Sequence, residues 1–158
     1  MTLPLLLLLA FLIGGVCGLR SMTGPAIVCW GAHLGWLQLD GSRLAFLHNP
    51  ISLVVFTLLA IGELVADKLS FIPSRTQPGP LVVRILFGAV CGVALAWTAG
   101  GAWLPGGVLG GLGAVAGAFA GYHARRWLTV SHGLPDFLIA LIEDFVAIGG
   151  GLLIVSRF

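Results

Sequence analysis

Residues 135–156 read PDFLIALIEDFVAIGGGLLIVS, a long apolar run that contains two adjacent acids. It is long enough to cross the hydrocarbon core of a bilayer, which takes about 20 apolar residues at about 1.5 Å of rise each. Yet Glu143 and Asp144 stand near its middle. A carboxylate in hydrocarbon is costly unless it is paired or hydrated, so the stretch predicts a membrane helix whose acids face protein or an aqueous cavity.

The composition of the whole chain supports a membrane protein. Of its 158 residues, 58% are hydrophobic and only 9% are charged, whereas about 25% of the residues of an ordinary soluble domain are charged. We therefore predict an all-α, polytopic bundle of transmembrane helices whose main partner is the lipid bilayer. The eight Lys and Arg residues are scattered and form no basic run, so no nucleic acid partner is expected.

The apolar stretches divide into six candidate helices within a single transmembrane domain, 1–158. The second is only about 22 Å long, so it is a half-helix or a re-entrant segment, and five full spans remain if it does not cross. A polar connector, 70–80, separates two halves of three segments each, 1–69 and 81–158. Such halves would be oppositely oriented, as in the inverted repeats of many transporters. The candidate helices are 3–19, 24–38, 51–67, 81–99, 106–122 and 135–156.

The positions of the basic residues predict the orientation of the bundle. If all six segments cross, the opposite side of the bundle holds only Arg43 and Arg157. The connections after the first, third and fifth helices carry the other basic residues, with Arg84 close by: Arg20, Lys68, Arg75, Arg125 and Arg126. The positive-inside rule then places both termini outside the cytoplasm.

Helix 106–122 is rich in glycine, with overlapping small-xxx-small spacings. Such spacings let neighbouring helix backbones approach closely. We predict tight packing inside one protomer, or between two copies in a homo-oligomer, rather than a phosphate cradle. The predicted packing residues are Gly106, Gly110, Gly113, Gly117 and Gly121.

No pattern in the chain indicates a cofactor or a metal. Cys17, Cys29 and Cys91 fall in apolar surroundings without CxxC spacing, which predicts buried small side chains rather than disulfides or ligands. P-loop, HExxH, nucleophile-elbow and dinucleotide motifs are absent from the sequence. We therefore predict no cofactor and no metal, and we favour a function other than catalysis.

A second acidic pair, Glu63 and Asp67, lies on the third candidate helix with a spacing of four residues, so both side chains share one face. The predicted topology brings this pair to the same end of the bundle as the acids of the sixth helix, together with three basic residues. The predicted ion-binding or substrate-binding residues are Glu63, Asp67, Glu143, Asp144, Arg20, Arg84 and Lys68.

Two interpretations of this cluster stay open. The charges either form ion pairs that hold helices together, with Lys68 and the arginines reaching the headgroups, or they line a hydrated cavity that binds or conducts a solute. Neighbouring positions on a helix point about 100° apart, so one of Glu143 and Asp144 can pair within the protein while the other faces a cavity. Arg20 could also form an anion site with the N-terminus of the second helix.

The motifs that carry these charges resemble those of a known family. They are Gly18-Leu19-Arg20 followed by Pro25, Glu63-Leu64-Val65-Ala66-Asp67-Lys68, the spacing from Arg84 to Gly88-Ala89, and Leu141-Ile142-Glu143-Asp144. Together they resemble an uncharacterised family of small bacterial integral-membrane proteins, classed as a domain of unknown function. The resemblance covers nearly the whole chain and implies a multi-pass protein of the bacterial inner membrane, without an activity.

We predict a transporter or channel for an ion or small solute that uses the charged cluster. The alternative from another class is a membrane-embedded lipid-phosphate enzyme or a lipid-handling protein, in which carboxylates and arginines would face a phosphate. The third is a non-catalytic packing or assembly factor.

Overall fold

The computed structural model describes residues 1–67, 76–101, 103–132 and 135–158. Within them the chain is all-helical, as predicted, with six α-helices and a short 3-10 helix at Ala45–His48. The α-helices are α1 Leu3–Leu19, α2 Thr23–His33, α3 Pro50–Ala66, α4 Pro78–Thr98, α5 Trp103–His132 and α6 Asp136–Val155. Three of them (α4, α5 as far as Val130, and α6) are long and apolar enough to cross a membrane, and α1 and α3 are apolar helices of 17 residues.

Helices α1, α4 and α5 form the core of the bundle and touch one another through glycine. Gly14 of α1 and Gly88 of α4 both lie against Gly110 of α5, so closely that a Cβ atom on any of the three would collide with backbone atoms of a neighbouring helix. In lipid, the hydrophobic effect does not drive helices together, so their association depends on dispersion contacts. Close approach of the backbones increases the number of these contacts.

The order of these contacts gives the directions of the helices. Gly14 of α1 lies against Gly110 of α5, and Gly18 lies against Ala114, so the contacts advance toward the C-terminus in both helices. Helices α1 and α5 therefore run parallel. Gly92 lies against Gly106, so α4 runs antiparallel to α5. Successive helices alternate in direction, and one end of the bundle therefore gathers the last turns of α1, α3 and α5 and the first turns of α2, α4 and α6.

Four of the five predicted packing glycines lie in this core. Gly106 and Gly110 approach α4, while Gly113 and Gly117 approach the backbone of α1. Gly121 is buried nearer the end of α5. These helix contacts all lie within one chain, so the predicted homo-oligomer would need another face.

The three cysteines are buried free thiols in the same core. The sulfur atoms of Cys17 and Cys91 lie 3.8 Å apart. They fill space between α1 and α4 as small side chains, which agrees with the interpretation of these residues as buried hydrophobes.

Helix α2 is shorter than the predicted segment 24–38, with 11 residues and a length of about 16 Å. It ends at His33 because Gly35 takes a φ of 78°, and the amides of Gly35 and Trp36 bond back to Ala32 and Gly31. This is the glycine-based Schellman cap of a helix. The chain then continues without a helix as far as Ala45. Leu37 and Leu39 of this segment, and Leu47 of the 3-10 helix that follows it, are buried against the core. The second segment is therefore a half-length helix backed by protein.

Two other helices differ from the predicted segments 81–99 and 106–122. Helix α4 begins at Pro78 rather than residue 81, because proline is accommodated in a first helical turn, where its missing N–H would have no partner. Helix α5 continues to His132 rather than ending at residue 122. The prediction stopped where the apolar run stopped, but a helix can continue through Ala, Arg and Leu beyond that point.

The two halves run in opposite directions, but their helices differ in length. Helix α2 has 11 residues, whereas α5, its counterpart in the second half, has 30. Most of the predicted connector, residues 70–75, lies outside the described part of the chain. The inverted repeat therefore stays a prediction.

Replacing Gly35 with Ala is expected to destabilise the protein by about 1 kcal/mol, because an L side chain is strained at a positive φ. The matched control is Gly62→Ala, within α3 and about one turn before its end, where an added Cβ meets no atom within 4 Å. Alanine favours a helix over glycine by up to about 1 kcal/mol, so this control should be neutral or stabilising. Thermal unfolding in detergent, followed by circular dichroism, compares the two. Equal effects would contradict the capping role of Gly35.

Candidate functional site

A network of seven charged side chains lies at the end of the bundle where α1 ends and α2 begins. It joins five helices, α1 (through the residue that follows it), α3, α4, α5 and α6. Six of its members were predicted from the sequence, and the seventh predicted residue, Lys68, lies outside the described residues. The charged network consists of Arg20, Glu63, Asp67, Arg84, Arg125, Glu143 and Asp144.

Arg20 lies at the centre of the charged network. It follows the last residue of α1, its backbone is extended, and its side chain is fully buried, with 0% exposed. One terminal nitrogen pairs with Asp67 Oδ2 and the other lies 2.5 Å from Asp144 Oδ1. Since Asp67 caps α3 and Asp144 belongs to α6, a single guanidinium ties three helices together. A fixed fork of donors makes arginine suited to bridging two carboxylates.

Glu63 caps the beginning of α2 from the neighbouring helix α3. Its Oε1 accepts hydrogen bonds from the Ser21 amide at 2.8 Å and the Ser21 hydroxyl at 2.6 Å, and its Oε2 accepts one from the Met22 amide at 2.8 Å. Amides at a helix N-terminus lack partners within the helix, and the helix dipole favours an anion there. The anion that the sequence suggested at this position is thus the protein's own Glu63, and Arg20 binds aspartates instead.

Arg84 caps the C-terminal end of α1, as Glu63 caps the beginning of α2. Its Nη1 donates a hydrogen bond of 2.8 Å to the carbonyl of Gly18, and its Nη2 lies 3.6 Å from Glu63 Oε1. The carbonyl groups that end a helix carry partial negative charge. Arg84 therefore neutralises the partial negative charge at the end of α1, and Glu63 neutralises the partial positive charge at the start of α2. Together they stabilise the interruption between the two helices inside the protein.

Arg125 was assigned to a connecting loop by the sequence, and the structure places it on α5. Its Nε and Nη2 bind the two oxygens of Asp136, at 2.7 and 2.6 Å. Its Nη1 lies 3.6 Å from Asp67 and 4.0 Å from Glu143. The sequence would have predicted the pair of Arg125 and Asp136 only if α5 had been extended beyond its apolar residues.

The adjacent acids of α6 face different surroundings. Asp144 pairs with Arg20, whereas Glu143 lines a cleft between α5 and α6. Both are buried. This divergence agrees with the expected angle of about 100° between neighbouring helix positions.

The cleft has a volume of about 170 Å³ and walls that are almost wholly apolar. It exists because α5 packs mainly on α1 and α4, while α6 packs on α1 and α2, which leaves the two helices apart at this level. The residues that line it are Leu19, Gly121, Ala124, Arg125, Leu128, Ile139, Ile142, Glu143 and Val146.

The carboxylates of the charged network are held by arginines and amides rather than grouped around an empty point. Among the described residues, no three His, Cys, Asp or Glu side chains are arranged to hold a metal ion. The acids and guanidinium groups of the charged network can exchange partners with one another. Because Arg20 and Arg125 both approach Asp67, a change in the charge of one carboxylate would be felt by both arginines.

Comparison with known proteins matches the chain to a family. A family model described as Domain of unknown function (DUF4126) matches residues 7–156. The search of curated proteins and the search of solved structures gave no match.

Proposed function

The chain belongs to the family described as Domain of unknown function (DUF4126), a membership that assigns no activity, so we propose a function from the site itself. We propose that the protein is a small integral-membrane transporter or channel for an ion or small solute. Its working part is the charged network at the break between α1 and α2.

One observation carries this proposal: a fully buried arginine sits at a helix break between two aspartates. In many transporters the ends of interrupted helices meet at the binding site, where their dipoles and freed backbone groups contact ions. Half-length α2, with its N-terminus on Glu63, has this form.

Packing alone is a weaker explanation of the charged network. Buried ion pairs are often no better for stability than well-packed apolar side chains of similar volume, because the charges must first lose their water. The glycine contacts of α1, α4 and α5 already join the core of the bundle. A cluster of acids and arginines added to such a core is therefore better explained by a role in moving charge.

The mechanism we propose is an exchange of ion-pair partners. A proton or cation that neutralised Asp67 would weaken its hold on Arg20 and Arg125, which share it. Asp67 lies at the end of α3, whereas Arg20 follows α1 and Arg125 belongs to α5, so weakening these two pairs would loosen α3 from its neighbours at this end of the bundle. A bound ion can shift a conformational equilibrium only by as much as it favours one state, and the loss of two ion pairs, one of them to the fully buried Arg20, supplies such a difference.

Replacing Glu63 with Gln is expected to abolish transport while sparing accumulation of the protein. Gln keeps the shape of Glu but removes the charge that faces Arg84 and the amides of α2. The measurement is the flux of ions or solute, driven by a pH or cation gradient, in sealed vesicles containing the purified protein. The matched control is Asp40→Asn, since Asp40 is an acid outside the network with 79% of its side chain exposed.

The same preparations separate transport from the alternative of lipid chemistry. An enzyme would turn over a phospholipid in detergent, without a sealed compartment, and would need a divalent metal. Metal-dependent turnover that is lost in Glu63→Gln, with no gradient-dependent flux in vesicles, would overturn the transport proposal.

We also propose the placement of the protein in a bacterial inner membrane, as a multi-pass protein with both termini outside the cytoplasm. The end with the charged network would then face the cytoplasm, and exposed Arg126 at that end supports this orientation. A homo-oligomer would use a face other than the α5 glycines. Gly149 and Gly150 of α6, where an added Cβ meets open space, offer such a face.

A further inference from the structure

Two buried polar atoms lie at the break between α1 and α2, the hydroxyl oxygen of Thr23 and Nε of Arg20. Thr23 is the first residue of α2 and is 3% exposed, and Arg20 is fully buried. Among the residues that the structure describes, neither atom has a hydrogen-bond partner. A buried polar group without a partner destabilises a folded protein, and bound water commonly supplies the partner.

Both atoms lie in one part of the bundle, close to its partly exposed rim. Arg20 and Thr23 are three residues apart, so their Cα atoms are separated by at most about 11 Å. Helix α2 packs against both α3 and α6, the two helices whose aspartates bind Arg20. At the rim, 14% of the Glu63 side chain and 15% of the Asp67 side chain are exposed. Water therefore reaches the charged network at the rim, next to the buried pair of atoms.

Arg20 separates two carboxylates that a proton would have to visit in turn. It lies between Asp67 and Asp144 and binds both. A guanidinium keeps all its protons and has no acceptor, so it cannot pass a proton from one acid to the other. A proton that moves between these aspartates needs a group that both accepts and donates, which a hydroxyl and a water molecule do.

The surroundings of the two aspartates favour a proton over a metal cation. Arg20 occupies an oxygen of each aspartate, and Arg125 approaches Asp67 as well. A metal cation would need several oxygen ligands and would lie beside these positive groups, whereas a proton needs one carboxylate oxygen. The other members of the charged network around these aspartates are Glu63 on α3, Arg84 on α4 and Glu143 on α6.

We propose that water is bound at this break, on the Thr23 hydroxyl and Arg20 Nε, and that it carries protons between Asp67 and Asp144. The water accepts a hydrogen bond from Arg20 Nε and exchanges hydrogen bonds with the Thr23 hydroxyl, which positions it. It takes the proton of protonated Asp67 and gives one of its own protons to the Asp144 carboxylate, so the water itself is unchanged. This inference rests on the proposed transport function and names the proton as the transported ion.

The first experiment compares the stability of Thr23→Val with that of the wild-type protein. Valine matches the shape of threonine but has no hydroxyl. If the hydroxyl binds water, its removal should lower the midpoint of thermal unfolding in detergent by about 2–4 °C, the shift expected for one hydrogen bond in a protein of this size. Removal of a hydroxyl that binds nothing would leave the midpoint unchanged or raise it, and either result would overturn the proposal.

The second experiment measures proton movement in sealed vesicles that contain the purified protein. A pH gradient is imposed, and potassium with valinomycin clamps the membrane potential. We expect the wild-type protein to carry protons, Thr23→Val to lose most of this flux, and Thr23→Ser, which restores a hydroxyl, to recover much of it. Thr57→Val is the matched control and should keep the flux, because the Thr57 hydroxyl bonds to Trp30 outside the charged network. Wild-type proton flux in Thr23→Val would overturn the proposal.

The same vesicles distinguish this inference from the proposed function on which it rests. Flux of sodium, potassium or a solute without proton movement would overturn the proton relay and leave the transport proposal intact. If no gradient drives any flux through the wild-type protein, both are overturned. The unfolding midpoint of Thr23→Val reports on the bound water in either case.

Discussion

Replacing Arg20 with Met is expected to destabilise the protein by about 3–5 kcal/mol, the usual cost of removing one partner from a buried ion pair. Met fills much of the volume of Arg but leaves Asp67 and Asp144 without the guanidinium that lies between them. The measurement is the midpoint of thermal unfolding in detergent, together with the amount of protein that accumulates. Arg43→Met is the matched control, because Arg43 is exposed on a connection at the opposite end of the bundle.

A triple variant separates loss of charge balance from loss of packing. Combining Arg20→Met with Asp67→Asn and Asp144→Asn removes all three charges, and most of the lost stability should return. If the triple variant is as unstable as Arg20→Met alone, the contribution of Arg20 lies in its shape and its contacts. If Arg20→Met itself unfolds like the wild-type protein, the central ion pairs do not hold α1, α3 and α6 together.

Replacing Gly113 with Leu is expected to cost about 3 kcal/mol or more, at or beyond the upper end of the usual penalty for overpacking. A Cβ atom at this position would collide with the carbonyl of Phe11, a backbone atom of α1 that cannot turn aside as a side chain would. The two helices would have to separate along their whole contact. Thermal unfolding and gel-filtration profiles in detergent report the loss.

The matched control for this substitution is Gly149→Leu on α6, where a Cβ atom meets nothing within 4 Å. Leucine is a better helix former than glycine, so this variant should be as stable as the wild-type protein or slightly more so. A stable Gly113→Leu would show that α1 and α5 are not held by close backbone contact. A strongly unstable Gly149→Leu would instead indicate that α6 is covered by a partner at that face.

The class of the protein and the end at which its charges gather follow from local patterns along the chain. Apolar runs long enough for a membrane make each segment a helix, because only a helix satisfies its own backbone in lipid. Helices that alternate in direction bring Glu63 and Glu143 to one end, since both lie at fixed distances from the segment ends. Glycine spacing on α5 also predicted close packing, because that property belongs to a local face of one helix.

The tertiary structure alone decided which charged groups meet. The sequence placed Arg20, Glu63 and Arg84 at one level of the bundle, but the rotation of each helix about its axis depends on how glycines such as Gly110 pack against two neighbours. As a result, Glu63 accepts hydrogen bonds from the amides that precede α2, and Arg20 pairs with Asp67 and Asp144. The cleft beside Arg125 likewise follows from the separation of α5 and α6, a consequence of contacts between residues far apart in the chain that no local pattern records.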